Sequence, residues 1–352
     1  MNEKTPSAPA RSWAARLGLG LLALPLFLVL PGCGGGGGGV AGTGTLDLSV
    51  SDAPIDGAEE VFVTFTGIEL RRDGADPIVI EFDDPVGVDL LTLQGDNSAF
   101  LIQGQELPAG VYSDVRLIVA GEGNAACNAP SPPYDSYIVL AGESEQRPLI
   151  VPSGGSSGYK VKGGITIAAG QRGDYTVDFD VRKSIAERGT TGCYNLKPVM
   201  RVVDNAETGT LTGTVDADLL ADESCAGVAG ADTSTGAGSA VYVYEGTVTP
   251  DDFDGLPDLV APDPLVTALL AKDEVTGDFT YEVGFLLVGP YTVAFTCQAG
   301  NDVAPESVPP VEPELVESDN ALLFVQPQAT TITTGGTSVV DFVVAEPPPP
   351  EG

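Results

Sequence analysis

The chain reads as an all-β protein made of two tandem β-sandwich domains. Three observations predict this. Apolar residues alternate with polar ones at period two along much of the sequence, which places one face inward. Turn-forming residues break the alternation at short intervals, as at Asp73-Gly74, Gly95-Asp96-Asn97 and Pro108-Ala109-Gly110. Long helical periodicity is scarce, so the sheets must cover one another.

The elements follow in order. Thr45–Val50, Glu60–Thr66, Asp114–Val119 and Asp174–Val181 all alternate and are expected to be strands. Asp89-Leu-Leu-Thr-Leu93 has the look of one short helical turn. Val266–Lys272 admits a helical reading, but its neighbours favour a strand. A boundary falls at Asp204–Gly209, where Asp-Asn-Ala-Glu-Thr-Gly breaks the pattern, so the sandwiches are expected at 45–204 and 208–345, with a Pro-rich tail at 346–352. The halves echo each other. Leu107-Pro-Ala-Gly-Val-Tyr112 answers Leu287-Val-Gly-Pro-Tyr291. Ile165-Thr-Ile167 with Val177-Asp-Phe179 answers Thr331-Ile332 with Val340-Asp-Phe342. Each Gly-x-Tyr is expected to lead into a strand, with the tyrosine at a sandwich edge or corner.

The N-terminus carries a targeting pattern. Lys4, Arg11 and Arg16 precede an apolar run from Leu17 to Leu30. A run of about 14 residues is shorter than the roughly 20 needed to span a bilayer, so it reads as a secretory signal, 1–32. Cys33 follows Leu30-Pro31-Gly32 and precedes six glycines, Gly34 to Gly39. This resembles the lipobox of bacterial lipoproteins, in spite of Pro31. The resemblance implies that Cys33 becomes the acylated first residue, bearing palmitate-type chains. Several chains anchor far more firmly than one. Gly34 after the cysteine implies an outer-membrane address. Residues 33–44 then form a tether, whose Gly-rich span of 11 residues reaches roughly 18 Å.

Composition excludes several function classes. The formal charge of −34 moves to −36 once residues 1–32, with Lys4, Arg11, Arg16 and Glu3, are removed. No basic stripe exists to neutralise phosphates, so nucleic acid and anionic lipid surfaces are excluded as partners. Such acidity serves solubility, a salt-rich habitat or divalent cation binding. A hydrophobic content of 43% is enough to build cores. The chain has no histidine, which removes Ser-His-Asp and Cys-His catalysis and His-ligated zinc. Its single tryptophan, Trp13, leaves with the signal. Cys127, Cys193, Cys225 and Cys297 remain, an even number that reads as disulfides in an exported chain. Of three connectivities, Cys127–Cys193 with Cys225–Cys297 puts one bridge in each sandwich. Loops of that length stabilise by ~4 kcal/mol each on a chain-entropy argument.

Seven words in order carry a family resemblance: Ser51-Asp-Ala-Pro54; Val61-Phe-Val63 with Ile68; Asp89-Leu-Leu91; Leu107-Pro-Ala-Gly-Val-Tyr112 with Arg116-Leu117; Val151-Pro-Ser-Gly154; Asp178-Phe-Asp-Val181 with Lys183-Ser184; and Tyr194-Asn-Leu-Lys-Pro198. Over 43–204 the chain resembles the bacterial family called domain of unknown function 4382. It departs in lacking a tryptophan near its second strand and in carrying a Cys-bearing insertion around Ala126–Tyr134. The resemblance implies a secreted lipoprotein with no established activity. Leu211-Thr-Gly-Thr-Val215, Ala240-Val-Tyr-Val-Tyr244, Gly277-Asp-Phe-Thr-Tyr281 and Gly289-Pro-Tyr291 give 208–345 a looser similarity to prealbumin-like or carboxypeptidase-regulatory-like sandwiches. That fold is often carbohydrate-binding, an analogy of fold and not of site.

Candidate chemistry is sparse. Asp252, Asp254 and Asp258 stand at positions one, three and seven, with Gly255 permitting a sharp turn. Closely spaced carboxylates suit calcium, and the stretch resembles thrombospondin-type calcium repeats, although it is single and lacks a closing Glu. The alternative is a solvated acidic loop. Asp178, Asp180 and Arg182 are expected on one strand face, beside Lys183 and Ser184. Such a carboxylate pair could serve acid/base or glycosyl chemistry, or form the wet face of an edge strand. Asp52, before Pro54, is expected to shape a turn. Tyr134, Tyr137, Tyr159 and Phe253 fall in or near loops and are the aromatic candidates for a sugar platform. Gly34–Gly39 precedes no strand–helix unit and is a linker, not a phosphate cradle. The expectation is therefore a non-catalytic, membrane-anchored envelope lipoprotein. It would hold membrane lipid through Cys33 and bind a glycan or an envelope protein, requiring no cofactor, with calcium as an optional ligand. The alternatives are a calcium-stiffened spacer or adhesin-type component and, more remotely, a carboxylate-dependent hydrolase using Asp178 and Asp180.

Overall fold

Alternation becomes strand pairing wherever it runs long enough to fill a sheet. The computed structural model describes residues 42–53, 57–123, 127, 132–151, 158–188, 191–221, 225, 228, 231–252, 262–302 and 322–344. Among the described residues fourteen strands make the first sandwich: β1 (Thr43–Ala53), β2 (Ala58–Arg71), β3 (Ile78–Asp89), β4 (Ala99–Pro108), β5 (Gly110–Tyr112), β6 (Asp114–Ala120), β7 (Tyr137–Leu140), β8 (Gln146–Ile150), β9 (Tyr159–Val161), β10 (Ile165–Ile167), β11 (Arg172–Asp180), β12 (Ile185–Glu187), β13 (Tyr194–Leu196) and β14 (Val199–Asp204). Eight make the second: β15 (Thr208–Val215), β16 (Ala240–Glu245), β17 (Val266–Leu269), β18 (Ala271–Lys272), β19 (Phe279–Leu287), β20 (Gly289–Thr296), β21 (Val325–Ile332) and β22 (Thr337–Val339).

In the first sandwich the sheet β14-β11-β1-β4 faces an eight-stranded sheet, β12-β13-β8-β7-β2-β6-β9 with β3 paired to β2. Leu46, Leu48 and Val50 from one sheet meet Val61, Val63, Phe65 and Ile68 from the other in a single core. β1 does not keep a wet face, because Asp47, Ser49 and Ser51 are buried too. Those polar groups find partners: Asp47 pairs with Arg172 and accepts from Gly104 N at 2.6 Å, and Ser51 Oγ donates to the Leu93 carbonyl at 3.0 Å. The second sandwich packs β18-β19-β15-β22 on β17-β16-β20-β21 around Leu211, Val241, Val243, Phe279, Phe295 and Phe342. The chain is all-β, two stacked sandwiches joined by a 3-10 turn at Asn205–Glu207, where the pattern breaks in the sequence. Both belong to one compact unit, Ala41–Gly352. Among the described residues no helix is long and apolar enough to cross a membrane.

The echo between the halves is a repeated corner. β1 runs parallel to β11 with Thr45 opposite Arg172, and β15 runs parallel to β22 with Thr210 opposite Thr337. The tetrapeptide Thr-Gly-Thr-Leu opens both, at Thr43 and at Thr208. Side chains on Gly44 or Gly209 would collide with the carbonyls of Ala168 or Thr333, so close approach fixes glycine at both places. Gly110 and Gly289 share φ values of +154° and +155°. Two residues later Tyr112 donates to the Pro108 carbonyl at 2.7 Å, and Tyr291 to that of Leu287 at 2.8 Å. Both tyrosines are corner residues. The Val-Asp-Phe words, by contrast, are out of step. Phe342 bridges Val215 as Val177 pairs Val50, which displaces that echo by two residues.

Both disulfides are local. Cys127 joins Cys193 with Cα atoms 5.7 Å apart, and Cys225 joins Cys297 at 5.4 Å. The turn after Asp89 is a 3-10 turn, Leu90–Thr92, capped by the Asp89 carboxylate on Leu91 N. Val266–Lys272 is strand, split into β17 and β18.

Candidate functional site

The functional geometry concentrates where the sandwiches meet. β11 stops at Asp180, and a one-turn helix, α1 (Val181–Ser184), follows. One near and one distant carboxylate specify the turn. Asp180 accepts from Lys183 N at 3.1 Å as an N-cap, and Asp52 Oδ1 accepts from Val181 N at 3.2 Å. This corrects one expectation. Arg182 does not share a strand face with Asp178 and Asp180, because the cap at Asp180 turns the backbone helical. Asp52 is buried near the end of β1 and caps α1, and residues 54–56, where it is expected to shape a turn, lie outside the described residues.

α1 carries Arg182 into the second sandwich. Its Nη1 donates to the Tyr242 hydroxyl at 2.7 Å, and its Nη2 to the carbonyls of Ala299 and Asp302, each at 3.2 Å. The Asp302 carboxylate lies 2.7 Å from Nη2 and also accepts from the Tyr242 hydroxyl at 2.6 Å. Burial works against the Arg182 charge, but Tyr242 and Asp302 outweigh it, and its pKa lies above the ordinary value. Burial raises that of Tyr242 far more. Lys183 donates to the Pro264 carbonyl at 2.6 Å. On the other side of the junction Thr210 donates to Asp96 at 2.8 Å, and Asp96 N donates to Glu282 at 3.0 Å. A Cβ on Gly95 or Gly284 would collide across this contact, so two facing glycines permit it.

Among the described residues two cavities lie along the junction. One, about 10 Å³ and large enough for roughly one water, is lined by Ser51, Asp52, Asp178, Thr267 and Glu282 among others. The other is an open groove of about 240 Å³ bordered by Gln94, Gly95, Thr212, Thr280, Tyr281 and Glu282.

The remaining sequence candidates are scattered. Asp178 pairs with Arg201 at 2.8 Å, and Asp180 with Lys183 at 3.1 Å. Tyr134 is buried. Tyr137 stacks on Phe62 with ring centres 5.2 Å apart and donates to Glu60, while burial, aided by Glu60, pushes its pKa up to about 12. Tyr159 donates to the Leu196 carbonyl, and burial likewise raises it to about 12. These three tyrosines form no shared platform. Asp252 is buried, whereas Cys33, Phe253, Asp254 and Asp258 lie outside the described residues. Among the described residues no group of three or more His, Cys, Asp or Glu is arranged to hold a metal. Sequence reasoning missed Asp302 and Tyr242 as junction residues. A signal existed: after Arg201 the sequence contains one basic residue, Lys272, so a buried acid there must look elsewhere for a cation.

Comparison with known proteins adds little beyond the family. No curated protein matches the chain significantly. Two crystal structures of the Streptococcus pyogenes major pilin are similar to it at very low scores. A mutant pilin is 15% identical over 86% of this chain and 100% of the pilin, with a TM-score of 0.15. The other pilin is 14% identical over 86% and 99%, with a TM-score of 0.14. Scores at this level carry no argument. Residues 43–198 match the family model "Domain of unknown function (DUF4382)". The match covers most of the first sandwich and none of the second.

Proposed function

We propose that the protein is a non-catalytic envelope lipoprotein, anchored through acylated Cys33, that binds an extracytoplasmic protein partner along the groove at the sandwich junction. The observation that carries the non-catalytic reading is that the acidic side chains able to do chemistry are engaged in structure. Asp178 holds Arg201, Asp180 and Asp52 cap α1, and Asp302 holds Arg182. Two disulfides and the signal-like N-terminus support export. A protein partner is favoured over a glycan because Tyr134, Tyr137 and Tyr159 are occupied within the sandwich and no tryptophan follows Cys33.

Two measurements test this. A photo-crosslinking residue at Gln94 or Thr280, beside the groove, is expected to capture an envelope protein that the same residue at Val199 does not. Equal labelling at all three positions, or binding confined to a glycan array, defeats the assignment. Globomycin is expected to accumulate the precursor, and an unchanged precursor level removes the lipid anchor. A second reading, a stiff spacer, draws on the junction itself, since Arg182 and Lys183 fasten the modules together. Its calcium-dependent form predicts a melting shift on calcium addition that disappears in Asp254→Ala.

A further inference from the structure

The second sandwich is nearly devoid of cations. Its one basic residue, Lys272, donates to the Ser234 carbonyl at 2.8 Å and lies 5.9 Å from the Phe279 ring centre. Yet the side chain of Asp302 is only 1% exposed, and the guanidinium upon it comes from the first sandwich. A carboxylate withdrawn from water needs a charge partner and hydrogen bonds. Here the charge partner comes from outside its own module, and Tyr242 within the module adds a hydrogen bond.

We propose that Arg182 is a counter-ion supplied across the junction, and that the second sandwich keeps its native packing only while the first presents it. The presenting side is rigid. α1 is capped by Asp180 and by Asp52, and Ser184 Oγ accepts from Val199 N at 2.8 Å, which ties the helix to β1, β11 and β14. The receiving side is prepared. The carbonyls of Ala299 and Asp302 lie just after Cys297, whose disulfide to Cys225 anchors the segment. Tyr242 projects from the outer face of β16, where Ala240, Tyr244, Ala294 and Ala299 form a small separate core with Phe324 packed on it. Removing the guanidinium therefore strikes that outer core first, and the sheet beneath it next. Synthesis from the N-terminus makes the supplier available before the recipient.

The test is hydrogen exchange on the full-length, oxidised protein, comparing β16 with β2. In Arg182→Met, β16 is expected to lose protection by roughly a hundredfold or more, while β2 keeps its own. Arg182→Met/Asp302→Leu is expected to regain β16 protection to within about tenfold of the parent, because replacing both partners removes the buried charge. If β2 and β16 lose protection together, if neither changes, or if the double variant is as poor as the single, the idea is wrong. Should Arg182→Met fail to fold, Arg182→Met/Asp302→Asn must recover a folded, exchange-protected β16; its failure overturns the proposal equally.

Discussion

The two sandwiches are built around the same corner but close their sheets differently. In the first, β11 beside the opening strand is covered by a whole further strand, β14, and Arg201 of that strand pairs with Asp178. In the second, nothing among the described residues pairs beyond β22. There the carbonyls of Asp341 and Val343 accept from the side-chain amides of Gln328 and Gln326, at 2.8 and 2.7 Å. An uncovered edge invites pairing with another chain, and amides satisfying its carbonyls blunt that tendency. The second module is thus a reduced version of the first, with a covering strand replaced by two glutamines and a cation taken from its neighbour. Equal architecture does not imply equal self-sufficiency.

Alkali should separate the modules most widely. Burial raises the pKa of Tyr242, Tyr244 and Tyr281, all in the second sandwich, well above the usual tyrosine value. Below pH ~10 these groups are protonated folded or unfolded and cost nothing. Above it the unfolded chain releases protons that the folded one retains, so stability falls, by about tenfold in the folding equilibrium per tyrosine per pH unit. Tyr137 and Tyr159 of the first sandwich impose the same loss only up to about pH 12, so the second sandwich should melt first above that. Tyrosinate absorbance and β16 exchange followed together check this, and simultaneous loss of β2 would erase the distinction.

The disulfides come next. Each closes a long loop, of 66 or 72 residues, and each should be worth ~4 kcal/mol. Replacing Cys225 and Cys297 by alanine should lower the melting temperature of the second sandwich by roughly 10–20 °C. Replacing Cys127 and Cys193 should shift the larger first module less, as calorimetry of the two paired variants will show. The corner glycines should then behave as twins. Gly44→Ala and Gly209→Ala each force a Cβ against backbone, and each should cost about 1–3 kcal/mol in denaturant titration. A large inequality between them would break the duplication. Smallest is the corner hydroxyl: Tyr112→Phe and Tyr291→Phe should each lose about 1 kcal/mol by the same titration.

Much of this was legible in the sequence, and the reasons are local. Alternation in Glu60–Thr66 and Asp114–Val119 marks strands because a sheet face has the same period as the residues. Gly110-Val-Tyr112 and Gly289-Pro-Tyr291 mark corners because the tyrosine reaches only four residues back. The Asp89 turn is readable because its cap is two residues from its donor. Arg182 was not readable. Alternation through Asp180 extrapolates smoothly into Val181, and the second carboxylate that turns the backbone helical, Asp52, lies 129 residues away. Its partners, Tyr242 and Asp302, lie 60 and 120 residues further along. The burial of Asp47 and Ser49 was equally hidden, since polar letters in an alternating strand look wet until a second layer covers them.

The parallel pairing of β15 with β22 bears on how the protein meets mechanical load. In the first sandwich β14 runs back against β11, so the chain leaves near the pole where β1 begins. In the second, the opening strand and β22 point the same way, and the chain leaves at the opposite pole. Tension applied at the two ends would slide β15 along β22 and strain their hydrogen bonds all at once, whereas an antiparallel closure would peel them one by one. Single-molecule pulling should accordingly find a higher rupture force for this small module than its size suggests, and a low, gradual yield would show that the shear arrangement does not govern.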